Sequence, residues 1–276
     1  MSNAPSARWW KEFYREERES LTRHHFEELF LHAPEIDLPE KGAIVFPHTR
    51  LSGSGELVAA VASAVVRSGR DTVLALGVLH GQDRNNPELR GIHGPGMRHD
   101  TEIWRDEFSL DNFEVFLSLA AELVGKPQPH LIARYPFLTG DDPHGLNGFE
   151  ELRQYVENGA ALVATADMIH HGVGYGTPRE ECKYSGDSNT HSWVKGSLET
   201  YLDLLVRHDY SAFEEMSKRL RSDFRDAGPV LSALVEESVP PVVIEELKLV
   251  NYADVLNADD PTWVAAALVQ YGSSPQ

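Results

Sequence analysis

The strongest constraint on the fold is a regular alternation of short apolar segments with helical segments over residues 43–165. Strands that alternate with helices are typical of α/β domains, in which the connecting helices cover both faces of the sheet. We therefore predict an α/β fold with a largely parallel or mixed sheet, helices on both faces, and a site at the carboxyl ends of the strands. The predicted strands are 43–46, 72–78, 130–136 and 160–165, and the predicted helices are 56–67, 110–124 and 148–158.

The segments outside this alternation fit the same domain. Residues 1–37 contain apolar side chains at helical spacing on a charged background, which predicts a helical segment packed on the domain. A chain of 276 residues without a linker-like stretch predicts one domain over 1–276. Further helices are expected at 197–207, 210–221 and 227–237, a loop at 91–96, and closing strands, or a strand and a helix, at 242–250 and 263–269.

Composition excludes several classes of partner. Lys and Arg number 25 against 43 Asp and Glu, and the net charge of −18 repels nucleic acid and anionic membranes. No apolar run approaches the roughly 20 residues that a membrane span needs. Cys182 is the single cysteine, which excludes an internal disulfide and a thiolate-rich metal site. With no apolar signal segment near residue 1, these features predict a cytoplasmic protein that binds a metal cation or a neutral organic molecule.

Three of the thirteen histidines come shortly after predicted strands: His48 after the first, His80 after the second and His170 after the fourth. Ligands of open α/β sheets bind at the carboxyl ends of the strands, so we expect these imidazoles to meet. Any one of them alone would more simply be a loop residue that bonds a backbone carbonyl. Imidazole suits zinc, iron, copper and nickel, whereas two histidines with one carboxylate and open positions are typical of non-haem Fe(II). A histidine that is not a ligand could move substrate protons.

Short motifs at these positions, taken in chain order, resemble a known family. They are Pro47-His48 followed by Ser54-Gly55, then 76–80 (LGVLH), 107–110 (EFSL), 167–172 (DMIHHG) and Gly228-Pro229. This pattern resembles the Memo family, which is related to the class III extradiol ring-cleaving dioxygenases, the protocatechuate-type B subunits. The resemblance spans nearly the whole chain. It implies metal binding by His48 and His80 and a catalytic role for His170. From its position after the same strand, Asp167 is either a ligand or, as we favour, a catalytic-site carboxylate that orients an imidazole.

The chain departs from the family pattern at two positions. Phe108 stands where the family often has histidine, and Arg225 aligns with the Memo cysteine. Related ring-cleaving enzymes have a third ligand, a carboxylate or an imidazole, in this C-terminal part. Asp226 is the nearest candidate here, although an Asp before a helix is often only an N-cap. The alternatives are Glu245, Glu246 and His170.

We therefore expect a non-haem Fe(II)-dependent dioxygenase of class III extradiol type that combines O₂ with a catechol- or aminophenol-like small aromatic. His48, His80 and Asp226 would hold the metal, and Arg50 and Arg225 could pair with a substrate carboxylate. One alternative is a Memo-like protein that binds copper, iron or zinc for a redox or ligand-binding role without ring cleavage. Another is a metal-free scaffold protein, because one fold hosts several functions. Relatives often form homo-oligomers, so an assembly is also possible.

Overall fold

An eight-stranded mixed sheet forms the centre of the fold and carries helices on both faces, which confirms the predicted α/β class. The computed structural model describes residues 6–97, 101–235 and 242–272. The strands are β1 (Ala43–Phe46), β2 (Thr72–Leu76), β3 (Gly91–His93), β4 (His130–Phe137), β5 (Ala161–Thr165), β6 (Ile169–Gly172), β7 (Val242–Asn251) and β8 (Thr262–Tyr271). The helices are α1 (Ala7–Ser20), α2 (Arg23–Leu31), α3 (Leu51–Ser68), α4 (Asp111–Val124), α5 (Phe149–Glu157), α6 (Ser188–Val206), α7 (Tyr210–Leu220) and α8 (Phe224–Leu234).

The centre of the sheet is parallel. Strand β5 lies between β1 and β2, and β4 lies on the far side of β2, all four running in the same direction. Every residue of β1 and β5 is buried, because helices cover both faces of these strands. The carboxyl ends of β1, β2 and β5 therefore meet at one edge of the sheet, as the sequence predicts for its site.

Strand β8 extends this edge of the sheet, an arrangement that the alternation of strands and helices in the sequence does not predict. It runs antiparallel to β1 and pairs with it through residues 269–271, so its first half reaches beyond the carboxyl end of β1. That first half, residues 262–265, pairs with β6. Strand β6 consequently lies close to where β1 ends, and His170 on β6 is brought to the site by the pairing with Val264.

Two apolar cores lie on the two faces of the sheet. Helices α2, α3 and α4 cover one face, where Phe116 packs against Phe26 with ring centroids 5.4 Å apart. Helices α5 to α8 cover the other face, where Phe213 stacks on Tyr201 at 4.2 Å. Among the described residues, none of the helices has the length and apolar character that crossing a bilayer requires.

Several elements differ from the prediction. The N-terminal segment forms two helices because the side chain of Thr22 accepts a hydrogen bond from the backbone N–H of His25 and starts a new helix. The predicted loop at 91–96 contains β3, which pairs antiparallel with β4. Helix α3 begins at Leu51 and α6 at Ser188, both before their predicted starts. Residues 263–269 belong to a strand, and the last two residues of the predicted helix 227–237 lie outside the described part of the chain.

Candidate metal centre

Three imidazoles face a single carboxylate oxygen. The Nε2 atoms of His48, His80 and His170 lie 3.4, 3.6 and 3.7 Å from Oδ2 of Asp223. These separations exceed the 2.7–3.2 Å of an ordinary N–H···O hydrogen bond. Two ligand atoms bound about 2.1 Å from one ion lie roughly 3.0–3.4 Å apart in octahedral or tetrahedral geometry. The spacing is therefore closer to that of donor atoms around a shared ion than to a set of hydrogen bonds.

Glu107 holds His80 in the orientation that such a site needs. Its Oε1 accepts from the ring Nδ1 at 2.9 Å, and its Oε2 accepts from the backbone N–H of His80 at 2.8 Å. Burial alone would raise the pKa of Glu107, but the charge and hydrogen bond of His80 lower it. Burial alone would lower the pKa of His80, but the charge of Glu107 and the nearby Asp223 raise it well above the ordinary value. A carboxylate that orients the ring through Nδ1 is the common support of a metal-binding histidine.

The other two histidines have the same tautomer. Nδ1 of His170 lies 2.7 Å from the carbonyl oxygen of Arg221, which can only accept, so Nδ1 carries the proton. Nδ1 of His48 lies 3.2 Å from Oγ1 of Thr165, and that hydroxyl already donates to the carbonyl of Phe46. The hydroxyl oxygen therefore accepts from His48. Each ring therefore directs its Nε2 at the cluster, where a metal ion would displace any proton that this atom carries.

Asp223 is the carboxylate of the cluster, and the sequence prediction missed it. It occupies the N-cap position of α8, yet its side chain makes no capping hydrogen bond. Its backbone N–H donates to the carbonyl oxygen of Asp167 at 3.1 Å, which docks the start of α8 on the loop after β5. Burial alone would raise the pKa of Asp223, but the charge of His170 and the imidazoles of His48 and His80 hold it well below the ordinary value. An Asp before an apolar helix, in 222–224 (SDF), is the signal that could have identified it.

The predicted third ligand, Asp226, does not face the histidines. It lies one turn further along α8, and its two oxygens accept from the guanidinium of Arg84 at 2.5 and 3.1 Å. The alternatives Glu245 and Glu246 are exposed on β7. The carboxylate that meets the imidazoles is therefore Asp223, three residues before the predicted one.

Two overlapping sets of donors are close enough to hold an ion among the described residues. One set is His48, His80 and Asp223, and the other is Asp167, His170 and Asp223, with the donor atoms of each set within 4.8 Å of one another. Asp167 also accepts from the backbone N–H of His48 at 3.3 Å, and burial raises its pKa despite the charges of His48 and His170. The structure thus brings His48, His80, His170 and Asp167 together around Asp223, whereas the predicted Asp226 lies apart from them.

The neighbouring His171 lies on the opposite face of β6, as alternation along a strand requires. Its Nε2 accepts from the backbone N–H of Lys183 at 2.9 Å, and its ring stacks on Trp263. Burial, followed by the charges of Arg221 and Lys183, lowers the pKa of His171 to about 4. This histidine packs against the core and takes no part in the cluster.

The cluster opens into a cavity of about 100 Å³. Phe108 stacks on the ring of His80 at a centroid distance of 4.5 Å, so the position where the family often has histidine forms part of the wall. A larger cavity of about 540 Å³ borders β4 and includes Glu107, but none of the three clustered histidines lines it. The remaining walls of the smaller cavity are Trp10, Tyr14, Tyr175, Tyr252 and Val264.

Helix α1 covers one side of this cavity and is held there by polar contacts. The hydroxyl of Tyr14 bonds that of Tyr252 at 2.7 Å, and the Tyr252 hydroxyl in turn accepts from the backbone N–H of Arg50 at 2.9 Å. The carboxylate of Glu17 accepts from the backbone N–H groups of Leu51 and Ser52, which caps the start of α3. The N-terminal segment is thus a structural part of the site.

No protein-family model matches the chain, and no curated protein is detectably similar to it in sequence. The likeness to the Memo family and the ring-cleaving dioxygenases stays a prediction from short motifs. The geometry of the cluster is therefore the feature of this protein that bears on its function.

Proposed function

We propose that this protein is a non-haem Fe(II)-dependent dioxygenase of extradiol type that cleaves a small catechol- or aminophenol-like aromatic. The observation that carries the proposal is the convergence of His48 and His80 on Asp223, with His170 on the other side of the same carboxylate. Two histidines and one carboxylate with open positions are typical of Fe(II) enzymes that use oxygen.

The residues present fit a divalent ion. Each imidazole directs its Nε2 at the cluster, since its Nδ1 faces an acceptor, and the neighbouring imidazoles hold the pKa of Asp223 well below the ordinary value. His48, His80 and Asp223 would hold the ion, leaving the side that faces the cavity for substrate and O₂. When bound, Fe(II) would supply the electron transfer that spin-paired organic substrates need to react with O₂.

In this proposal, His170 moves the proton of a substrate hydroxyl. Its Nδ1–H is bonded to a backbone carbonyl, so Nε2 is free to accept a proton from a substrate in the cavity and later return it. Asp167 lies beside it and would stabilise the protonated ring. For a catechol, O₂ is the only oxidant: the O–O bond and one ring C–C bond beside the diol break, both oxygen atoms enter the product, and an aldehyde and a carboxyl group result.

The test uses two matched variants on the same helix, Asp223→Asn and Asp226→Asn. Each protein is loaded with Fe(II) without oxygen, its iron content is measured, and oxygen uptake is followed after addition of catechol or 2-aminophenol. We expect near-stoichiometric iron and substrate-dependent oxygen uptake in the wild type and in Asp226→Asn. Asp223→Asn should lose both, although its side chain caps no helix.

Other outcomes would redirect the assignment. Iron, copper or zinc held through His48 and His80 without oxygen uptake on any catechol would favour the Memo-like metal-binding alternative. A wild type that takes up no metal would contradict both functions and favour the scaffold alternative.

A further inference from the structure

We infer that the cavity selects single-ring aromatics that carry no carboxylate or other anionic substituent. This inference depends on the proposed function, because it specifies the substrate class of the same site. It is drawn from the charges, the size and the free hydrogen-bonding groups of the cavity wall.

The charged groups of the wall are acidic or imidazole. Asp167 and Asp223 line the cavity together with the rings of the three clustered histidines. No Lys or Arg lies among the described residues of its wall. Arg50, a predicted partner for a substrate carboxylate, donates instead to Asp254 at 2.9 Å. Arg225, the other predicted partner, is not part of the wall. Both predictions for a carboxylate-binding arginine therefore lack support at this cavity.

A carboxylated substrate would enter this cavity without a counter-ion. Burying an unpaired carboxylate is costly, and the charges of Asp167 and Asp223 would repel it further. Even with a divalent ion in place, Asp223 and the nearby Glu107, whose pKa values are held below the ordinary ones, already balance its two charges and leave no net positive partner for a further carboxylate. We expect the resulting loss of affinity for a carboxylated ligand to be at least about 100-fold.

The size and the aromatic walls fit one uncharged ring. The volume of about 100 Å³ is of the same order as the roughly 150 Å³ apolar cavity known to hold benzene. Trp10, Phe108 and Tyr175 make part of the wall aromatic, which favours an aromatic ligand. The site thus has room for the single ring of a catechol or an aminophenol.

Tyr175 provides the free polar group of the wall. The hydroxyls of Tyr14 and Tyr252 already bond each other. Within the described ranges, the hydroxyl of Tyr175 has no hydrogen-bond partner, and its ring lies edge-on to His170 at 4.8 Å. This hydroxyl can donate to a neutral hydroxyl or amino substituent beside His170, which suits an uncharged ligand.

The experiment measures binding to the Zn(II)-loaded protein, so that no turnover occurs. Catechol, 2-aminophenol and 3,4-dihydroxybenzoate are titrated separately, and quenching of tryptophan fluorescence reports binding because Trp10 lines the cavity. We expect the two uncharged ligands to bind at least about 100-fold more tightly than the carboxylated one. Tyr175→Arg should bind 3,4-dihydroxybenzoate at least about tenfold more tightly than the wild type does, since it supplies the missing cation. Tyr175→Phe, the matched control, should not gain this affinity.

The outcomes separate this inference from the function on which it depends. If 3,4-dihydroxybenzoate binds as tightly as catechol while the iron-loaded protein consumes oxygen with either, the selectivity is wrong and the dioxygenase stands. If none of the three ligands binds and no oxygen is consumed, the inference and the proposed function are both wrong. A carboxylated ligand that gains nothing from Tyr175→Arg also contradicts the assignment of Tyr175 to the substrate position.

Discussion

Replacing Glu107 with Gln should weaken metal binding without removing any proposed ligand. Oε1 of the carboxylate accepts from Nδ1 of His80 and from the backbone N–H groups of Phe108 and Ser109, all within 2.9 Å. Oε2 accepts from the backbone N–H of His80 at 2.8 Å. An amide has only one oxygen, so its NH₂ would face one of these donors. The side chain would keep its shape but lose one acceptor and its charge.

The expected losses of folding free energy and of metal affinity follow from these contacts. One buried donor left unpaired costs about 1–3 kcal/mol of folding free energy. Loss of the carboxylate partner lowers the basicity of the His80 ring, and such changes commonly reduce metal affinity 10- to 100-fold, or about 1.4–2.8 kcal/mol. The loss of metal affinity should exceed the loss caused by a substitution at an exposed position of the neighbouring helix α4.

Competition with a chromophoric chelator at neutral pH measures the affinity, and thermal melting of the metal-free protein measures the cost to folding. Glu114→Gln is the matched control, because Glu114 is exposed on α4 and contacts none of the clustered histidines. Its affinity should equal that of the wild type. If Glu107→Gln binds zinc or iron as tightly as the wild type, then His80 is not a ligand oriented by Glu107.

Two further substitutions test the surroundings of the site. His171→Phe keeps a ring on Trp263 but removes a group whose pKa is about 4 in the folded chain. This pKa lies below the value of about 6.5 in the unfolded chain, so the neutral ring of His171 makes its full contribution to the free energy of unfolding above pH 6.5. That contribution is lost as the pH falls toward 4. Between pH 7 and 5 the wild type should therefore lose about 2 kcal/mol more unfolding free energy than the variant in urea titrations, and equal losses would contradict the account. Tyr252→Phe removes the hydroxyl that bonds Tyr14 and the backbone of Arg50, and should cost about 1–3 kcal/mol, so an unchanged melting temperature would argue against a structural role for this contact.

The positions of His48 and His80 could be predicted because they depend on local order along the chain. Each follows a buried strand, and β1 and β2 flank β5 in a parallel arrangement. Parallel strands end at the same edge of a sheet, so side chains that follow them lie close together whatever the details of packing. The α/β class and the helices on both faces follow from the same alternation.

Strands β3 and β6 could not be predicted in this way. They have three and four residues, and β6 contains two histidines and a glycine, which have little preference for strands. Their backbone hydrogen bonds go to β4 and β8, which are distant in sequence. The placement of His170 opposite the other two imidazoles is therefore a consequence of how β6 pairs with β8.

The sequence by itself determined the fold class and the histidines at the strand ends, and the family resemblance added the expectation of a third ligand, for which we chose a carboxylate near the start of α8. It did not determine which acidic residue, because Asp223 and Asp226 lie one turn apart and both precede the apolar part of that helix. The choice depends on the rotation of α8 about its axis, which is set when the backbone of Asp223 bonds Asp167 and when Arg84 pairs with Asp226. These are contacts between segments far apart in the chain, and only the tertiary structure decides them.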